Sequence, residues 1–187
     1  MVRQVGFLVE IGAVKQFFIF DVESVGLHGE AFAVAGGVYL ENGAAQWEFA
    51  FNVDPDMCNG DPEGRKWIAD NVPAMVPTHR RPSKMRDAFW ESWLKAKQGG
   101  AEMAVECGWP VEARFLAECV DDDRVNRMWQ GPYPLHEVAS YMAAAGMNPM
   151  ATYERLPSEL PAHNPLGDAR LSARLLSQAI SPPQPKS

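Results

Sequence analysis

Residues 15–23 read KQFFIFDVE, a short apolar run that ends in two carboxylates. Such a run suits a buried strand. Alternate side chains of a strand share a face, so Ile19, Asp21 and Glu23 point one way while Phe18, Phe20 and Val22 point the other. Residues 31–40, AFAVAGGVYL, and 46–53, QWEFAFNV, follow as two more strands. Glu41-Asn42-Gly43 joins them, and Asn-Gly is a strong hairpin signal. Strand, turn, strand, hairpin, strand opens an α/β sheet with an antiparallel part.

Helical signals dominate beyond Pro55. A short helix is expected near 63–71 and a longer one at 83–98, with Ser83 as its N-cap and Met85, Phe89, Trp93 and Leu94 at helical spacing. Gly99-Gly100 ends it. Residues 102–106 read as a fourth strand and 111–120 as a helix with Phe115 and Leu116 inward. A fifth short strand is expected at 126–129, and a helix at 135–145 stopped by Gly146. The last helix, 166–179, is the best signposted: Asn164 can cap it, Pro165 fits its first position, and Leu166, Leu171, Leu175 and Leu176 supply an apolar stripe.

The chain has 187 residues, which predicts one domain with a core of its own. We expect that domain over residues 14–180, an N-terminal extension or edge segment over 1–13, and a disordered Pro-rich tail over 181–187. Apolar residues make up 47% and charged residues 22%, which excludes a disordered or collagen-like chain. The net charge of −7 argues against a wide basic surface gripping long duplex. Cys58, Cys107 and Cys119 form no C-x-x-C pair, so free thiols in a reducing compartment are expected, and neither a disulfide scaffold nor a zinc ribbon. No signal peptide and no membrane span are read, which makes a cytoplasmic location the expectation.

Two carboxylates on one face at the end of a strand can share hard cations such as Mg²⁺. A bare D-x-E is also what an exposed strand-end turn looks like. This one is not bare. Residues 19–29, IFDVESVGLHG, resemble the first motif of the DEDD 3′–5′ exonucleases, whose usual form is close to D-x-E-T-T-G-L. Asp21, Glu23, Gly26 and Leu27 match, Ser24 stands for the first Thr, and Val25 departs from the second. The segment AFAVAGGVYLENG resembles the family's second strand and hairpin. At the other end, HNPLGDAR at 163–170 resembles the H-x₄-D signature of the DEDDh subgroup, with His163 and Asp168. The second motif is weaker. In GWPVEARFL at 108–116, Phe115-Leu116 fall in place, Glu112 takes the position of an Asp, Gly108 replaces an Asn, and Val111 an aromatic. Glu106, at the end of the preceding strand, competes with Glu112 for the role.

The resemblance runs from about residue 15 to 179 and implies an RNase H-like fold, a central mixed five-stranded sheet flanked by helices. It implies two-metal phosphodiester hydrolysis, with two ions roughly 4 Å apart on the attacking and leaving oxygens. Asp21, Glu23, Glu112 and Asp168 would hold two Mg²⁺ or Mn²⁺ ions, and His163 would be the general base. Ser24, Leu27, His28 and Trp109 are the candidate contacts to the terminal nucleotides, with Phe115 placed in the core. The basic cluster His79, Arg80, Arg81, Lys84 and Arg86 either guides a phosphate backbone or forms a solvated face. Arg114 and Arg170 sit beside motif carboxylates and either neutralise them or touch phosphate.

Six Trp residues are expected mostly in the core, and their excess suggests a homodimer surface, as in many family members of this size. The expected substrate is the 3′ end of single-stranded RNA, or of DNA, by similarity in size to the stand-alone RNase T and oligoribonuclease-like enzymes. The rival readings are a binding module on the same fold with weakened chemistry, and a proofreading subunit of a DNA polymerase.

Overall fold

The computed structural model describes residues 14–181, so the expectations for 1–13 and for the tail beyond 181 lie outside the described residues. The first strand, β1, spans Gln16–Ser24, followed by β2 (Ala31–Leu40) and β3 (Ala45–Asn52). Helices α1 (Pro62–Asn71) and α2 (Pro82–Gln98) precede β4 (Glu102–Val105). Then come α3 (Val111–Asp122), the single turn α4 (Arg124–Arg127), β5 (His136–Glu137), α5 (Val138–Ala144) and α6 (Pro165–Ile180). The five strands form one sheet in the order β3-β2-β1-β4-β5. β1 pairs antiparallel with β2, and β2 with β3, whereas β4 runs parallel to both β1 and β5. The protein is therefore α/β, with a mixed five-stranded sheet flanked by helices, as expected.

The alternation along β1 divides the molecule into two cores. Phe18, Phe20 and Val22 pack with Phe49, Phe89, Trp93 and Phe115 under α2 and α3. Phe20 meets Phe89 edge-to-face at 4.8 Å between ring centroids, a contact worth about 0.5–1.5 kcal/mol beyond the area it buries. On the other face Phe17 and Ile19 pack with Val138, Met142, Leu171, Leu175 and Leu176 from α5 and α6. Asp21 and Glu23 continue this second face past the point where apolar packing stops, so the sheet itself aims them at the start of α6. Gly43 closes the β2–β3 hairpin with φ +82°, a conformation Gly adopts without steric cost.

Three local expectations differ from the structure. Helix α2 begins at Pro82 with Arg81 as its N-cap residue, not Ser83. Proline holds its predecessor extended and itself fits the first helical position. Residues 126–129 are not a strand. The Arg127 guanidinium turns back to the Cys119 carbonyl at 2.8 Å and to Asp87 at 2.7 Å, closing the helical turn α4. The fifth strand is instead His136–Glu137, cut from the start of the helix expected at 135–145.

The tryptophans are also less internal than expected. Trp90 and Trp93 are buried, but Trp67, Trp109 and Trp129 are exposed. All three cysteines are free, with Cys58 and Cys119 buried and Cys107 exposed. No helix among the described residues is long and apolar enough to cross a membrane.

Candidate functional site

The parallel pair β1 and β4 ends beside the first turn of α6, and the site forms at that junction. β1 delivers Asp21 and Glu23, the residue after β4 is Glu106, the first turn of α3 delivers Glu112, and that of α6 delivers Asp168. Asn164 makes the last placement possible, because its side-chain oxygen accepts from Leu166 N at 3.1 Å and Gly167 N at 3.4 Å and starts the helix there.

Burial is the main electrostatic fact at this junction. It pushes the Asp21 carboxyl well above the usual range, and repulsion from Asp168, Glu23, Glu112 and Glu106 adds to the effect. Burial, then Asp168 and Glu112, push Glu23 up to about 8. Glu112 is pushed up to about 7 by burial and by Glu106, against a backbone hydrogen bond that opposes the rise. Glu106 is raised by burial and Asp168, with Arg155 opposing. Asp168 is raised by burial, although Arg155 and His163 both favour its charged form. Burial and mutual repulsion thus raise these carboxyls together, and Arg155 and His163 offset only part of the rise.

His163 lies on the loop before α6 with φ +58°, left-handed for a residue with a β-carbon, at a cost of about 1–2 kcal/mol. Its Nδ1 stands 3.9 Å from Glu23 Oε1, and its ring meets the edge of Trp67 at 4.8 Å between centroids. One ligand atom from each of Glu23, His163 and Asp168 lies within 4.8 Å of the others, close enough to hold one metal ion. The donor set is oxygen-rich with one imidazole, which fits a hard divalent cation.

Beside Glu23 opens an apolar cleft of about 450 Å³, lined by Val22, Ser24, Leu27, Trp67 and Val111. Leu27 is exposed, and Trp67 is exposed enough to present a face to a ligand. Close packing of two glycines sets the wall of this cleft. A β-carbon on Gly64 would stand 2.6 Å from the backbone nitrogen of Gly26, so only glycine lets α1 approach the loop after β1. The Ser24 hydroxyl donates to the Gly26 carbonyl at 2.8 Å and shapes the same loop.

Of the candidate substrate contacts, Ser24 and Leu27 line the cleft, whereas Trp109 lines a separate open hollow with His136 and Tyr141. His28 is exposed, and its carbonyl accepts from Arg114.

The arginines are placed differently from expectation. Arg170 makes a two-pronged pair with Glu48 at 2.8 and 2.6 Å, and Arg114 pairs with Glu118 at 2.8 Å, so neither neutralises a cluster carboxylate. Arg86 is buried against Glu30 at 2.9 Å and Asp122 at 2.6 Å, which removes it from any cationic surface. Lys84 pairs with Asp87, while Arg80 and Arg81 are exposed. Sequence reasoning missed Arg155, which ion-pairs with Asp168, and Trp67, which packs on His163. Neither carries a spacing signal, since each reaches the site from a different loop or helix.

The fold and the site define an α/β protein with a cluster of carboxyl groups at the carboxyl end of β1 and β4, next to an apolar cleft. Neither the family models nor the curated proteins compared with this chain give a match.

Proposed function

We propose that this protein is a divalent-metal-dependent 3′–5′ exonuclease of the DEDDh kind on an RNase H-like fold, acting on the 3′ end of single-stranded nucleic acid, RNA before DNA. The observation that carries the reading is the meeting of Glu23, His163 and Asp168, whose ligand atoms lie within 4.8 Å of one another beside an apolar cleft that Glu23 lines, with Asp21, Glu106 and Glu112 near enough to push carboxyl pKa values up. The strand order and the antiparallel first three strands support the fold assignment.

Without cations the raised carboxyls keep their protons or, once ionised, repel an anionic phosphodiester, so the site would take a phosphodiester with cations bound. Mg²⁺ or Mn²⁺ bound there would supply charge stabilisation for an in-line displacement at phosphorus. Asp21, Glu23, Glu112 and Asp168 would hold them by charge, and Glu106 bears on Asp21 from the end of β4. Leu27 and Trp67 give the last base an apolar seat, which orients the terminal phosphodiester toward Glu23. His163 accepts the proton of the attacking water at a ring nitrogen. Its half-exposed ring and its edge contact with Trp67 hold it at the mouth of the site.

The test is a 5′-labelled single-stranded RNA incubated with the protein in Mg²⁺, Mn²⁺ or EDTA, beside Asp21→Ala. A ladder shortening from the 3′ end, lost with EDTA and in the variant, is the expected result. Intact RNA in every lane with binding still measurable would replace this reading by a binding module that has lost its chemistry.

A further inference from the structure

Among the described residues, Arg155 is the one permanently charged side chain ion-paired with the carboxylate cluster: it meets Asp168, with side-chain exposures of 22% and 10%. Asp21, Glu106 and Glu112 make no ion pair there.

The placement of Arg155 is built. Its other arm donates from Nη1 to the Glu159 carbonyl at 2.9 Å. Glu159 is itself almost fully buried, and its carboxylate accepts from Arg174 at 2.7 and 2.8 Å and from Leu156 N at 2.9 Å. Arg170 donates to the Ser158 carbonyl at 2.9 Å. Two arginines of α6 therefore fix the turn 155–159 against that helix. Gly167 lets the turn come close, because a β-carbon there would stand 2.8 Å from the Glu159 carbonyl oxygen. The turn then returns a guanidinium to Asp168, on the same helix one residue later. A planar guanidinium with one edge anchored presents the other edge in a fixed direction.

The geometry points to Arg155 as the internal counter-ion of the acidic cluster, a positioning residue that holds Asp168 by its charge and that a divalent cation must displace from that carboxylate. The displacement rests on the proposed cation site; the counter-ion role does not. Carboxyl groups gathered this closely oppose one another's ionisation, and Arg155 offsets part of that opposition at Asp168. A cation bound by Asp168 has to contend with the guanidinium for the same carboxylate and works against its charge.

Arg155→Met, Arg155→Lys, Asp168→Asn and the double variant Arg155→Met/Asp168→Asn separate the two parts, by thermal melting in EDTA and by calorimetric titration with Mn²⁺. In EDTA, Arg155→Met melts below wild type and Arg155→Lys recovers most of the loss. The same methionine change costs little in the Asp168→Asn background, where there is no charge to hold. In the titration, Arg155→Met binds Mn²⁺ about tenfold more tightly than wild type, since one competing positive charge is gone. An equal melting loss in both backgrounds would overturn the counter-ion, and an unchanged or weaker Mn²⁺ affinity would overturn the displacement. A wild-type protein that binds no Mn²⁺ would sink the nuclease reading and the displacement together, while the melting cycle would still decide the counter-ion.

Discussion

Replacing Glu23 by glutamine should make the metal-free protein more stable. Glu23 is buried, and its carboxyl moves from an ordinary value of 4.5 to about 8 through burial and repulsion from Asp168 and Glu112. A carboxyl raised on folding adds stability below its unfolded value, and that stability is lost as pH rises through the folded value. The window here is pH 4.5 to 8. The slope is about 1.4 kcal/mol per pH unit, so by pH 7, where the unfolded chain has released a proton that the folded chain still keeps, this one group has cost about 3 kcal/mol of stability as a ceiling.

Glutamine keeps the shape without the charge. Adjustment of the neighbouring carboxylates leaves a gain of about 1–3 kcal/mol, or roughly 3–10 °C in Tm for a chain of this size. The assay is thermal melting of wild type and Glu23→Gln in EDTA from pH 5 to 8.5. The Tm difference should be small at pH 5 and widest near pH 8. Mn²⁺ should then raise the Tm of wild type and leave that of Glu23→Gln nearly unmoved. A glutamine variant that melts below wild type in EDTA at pH 8 would refute the reasoning, because it would mean that the Glu23 charge is satisfied without a cation.

Glu112→Gln should lower exonuclease kcat by about 10²-fold or more, since a carboxylate on a reacting metal site is hard to replace. Glu106→Gln should stay within about tenfold, because Glu112 bears on both Asp21 and Glu23 whereas Glu106 bears on Asp21 but not Glu23; reversed magnitudes in single-turnover assays would exchange the two roles. His163→Gln should lower kcat by about 10²–10⁴-fold while the Mn²⁺-induced rise in Tm persists; loss of that rise would make His163 a metal ligand first. Gly64→Ala should destabilise by about 1–3 kcal/mol in urea unfolding, because its β-carbon would press on the Gly26 backbone, which cannot rotate away. An unchanged midpoint would show that the loop after β1 has room.

Much of this protein follows from local pattern. The alternation in KQFFIFDVE is a property of extended backbone, so the division into two faces of β1, with Asp21 and Glu23 on the face of Ile19, needs no other part of the chain. The Asn-Gly hairpin and the Asn164-Pro165 start of α6 are likewise set by backbone chemistry within a few residues. The expected strand at 126–129 failed because a long-range contact, Arg127 with Asp87 and the end of α3, outweighs a short apolar pattern.

The arginines are the clearest case of what pattern leaves open. Beside the motif carboxylates, Arg114 and Arg170 look like their partners, yet each finds a carboxylate elsewhere, while Arg155, thirteen positions before Asp168, closes on it. The same holds for the choice of neighbours around Glu23, where Trp67 and Val111 arrive from separate helices to build the cleft. Backbone geometry along one strand or one helix turn is fixed by bonds and steric contact between near neighbours, so the sequence alone determined where the carboxylates start. Charge pairing and cleft walls depend on distances between segments far apart in the chain, and only the tertiary structure decided those.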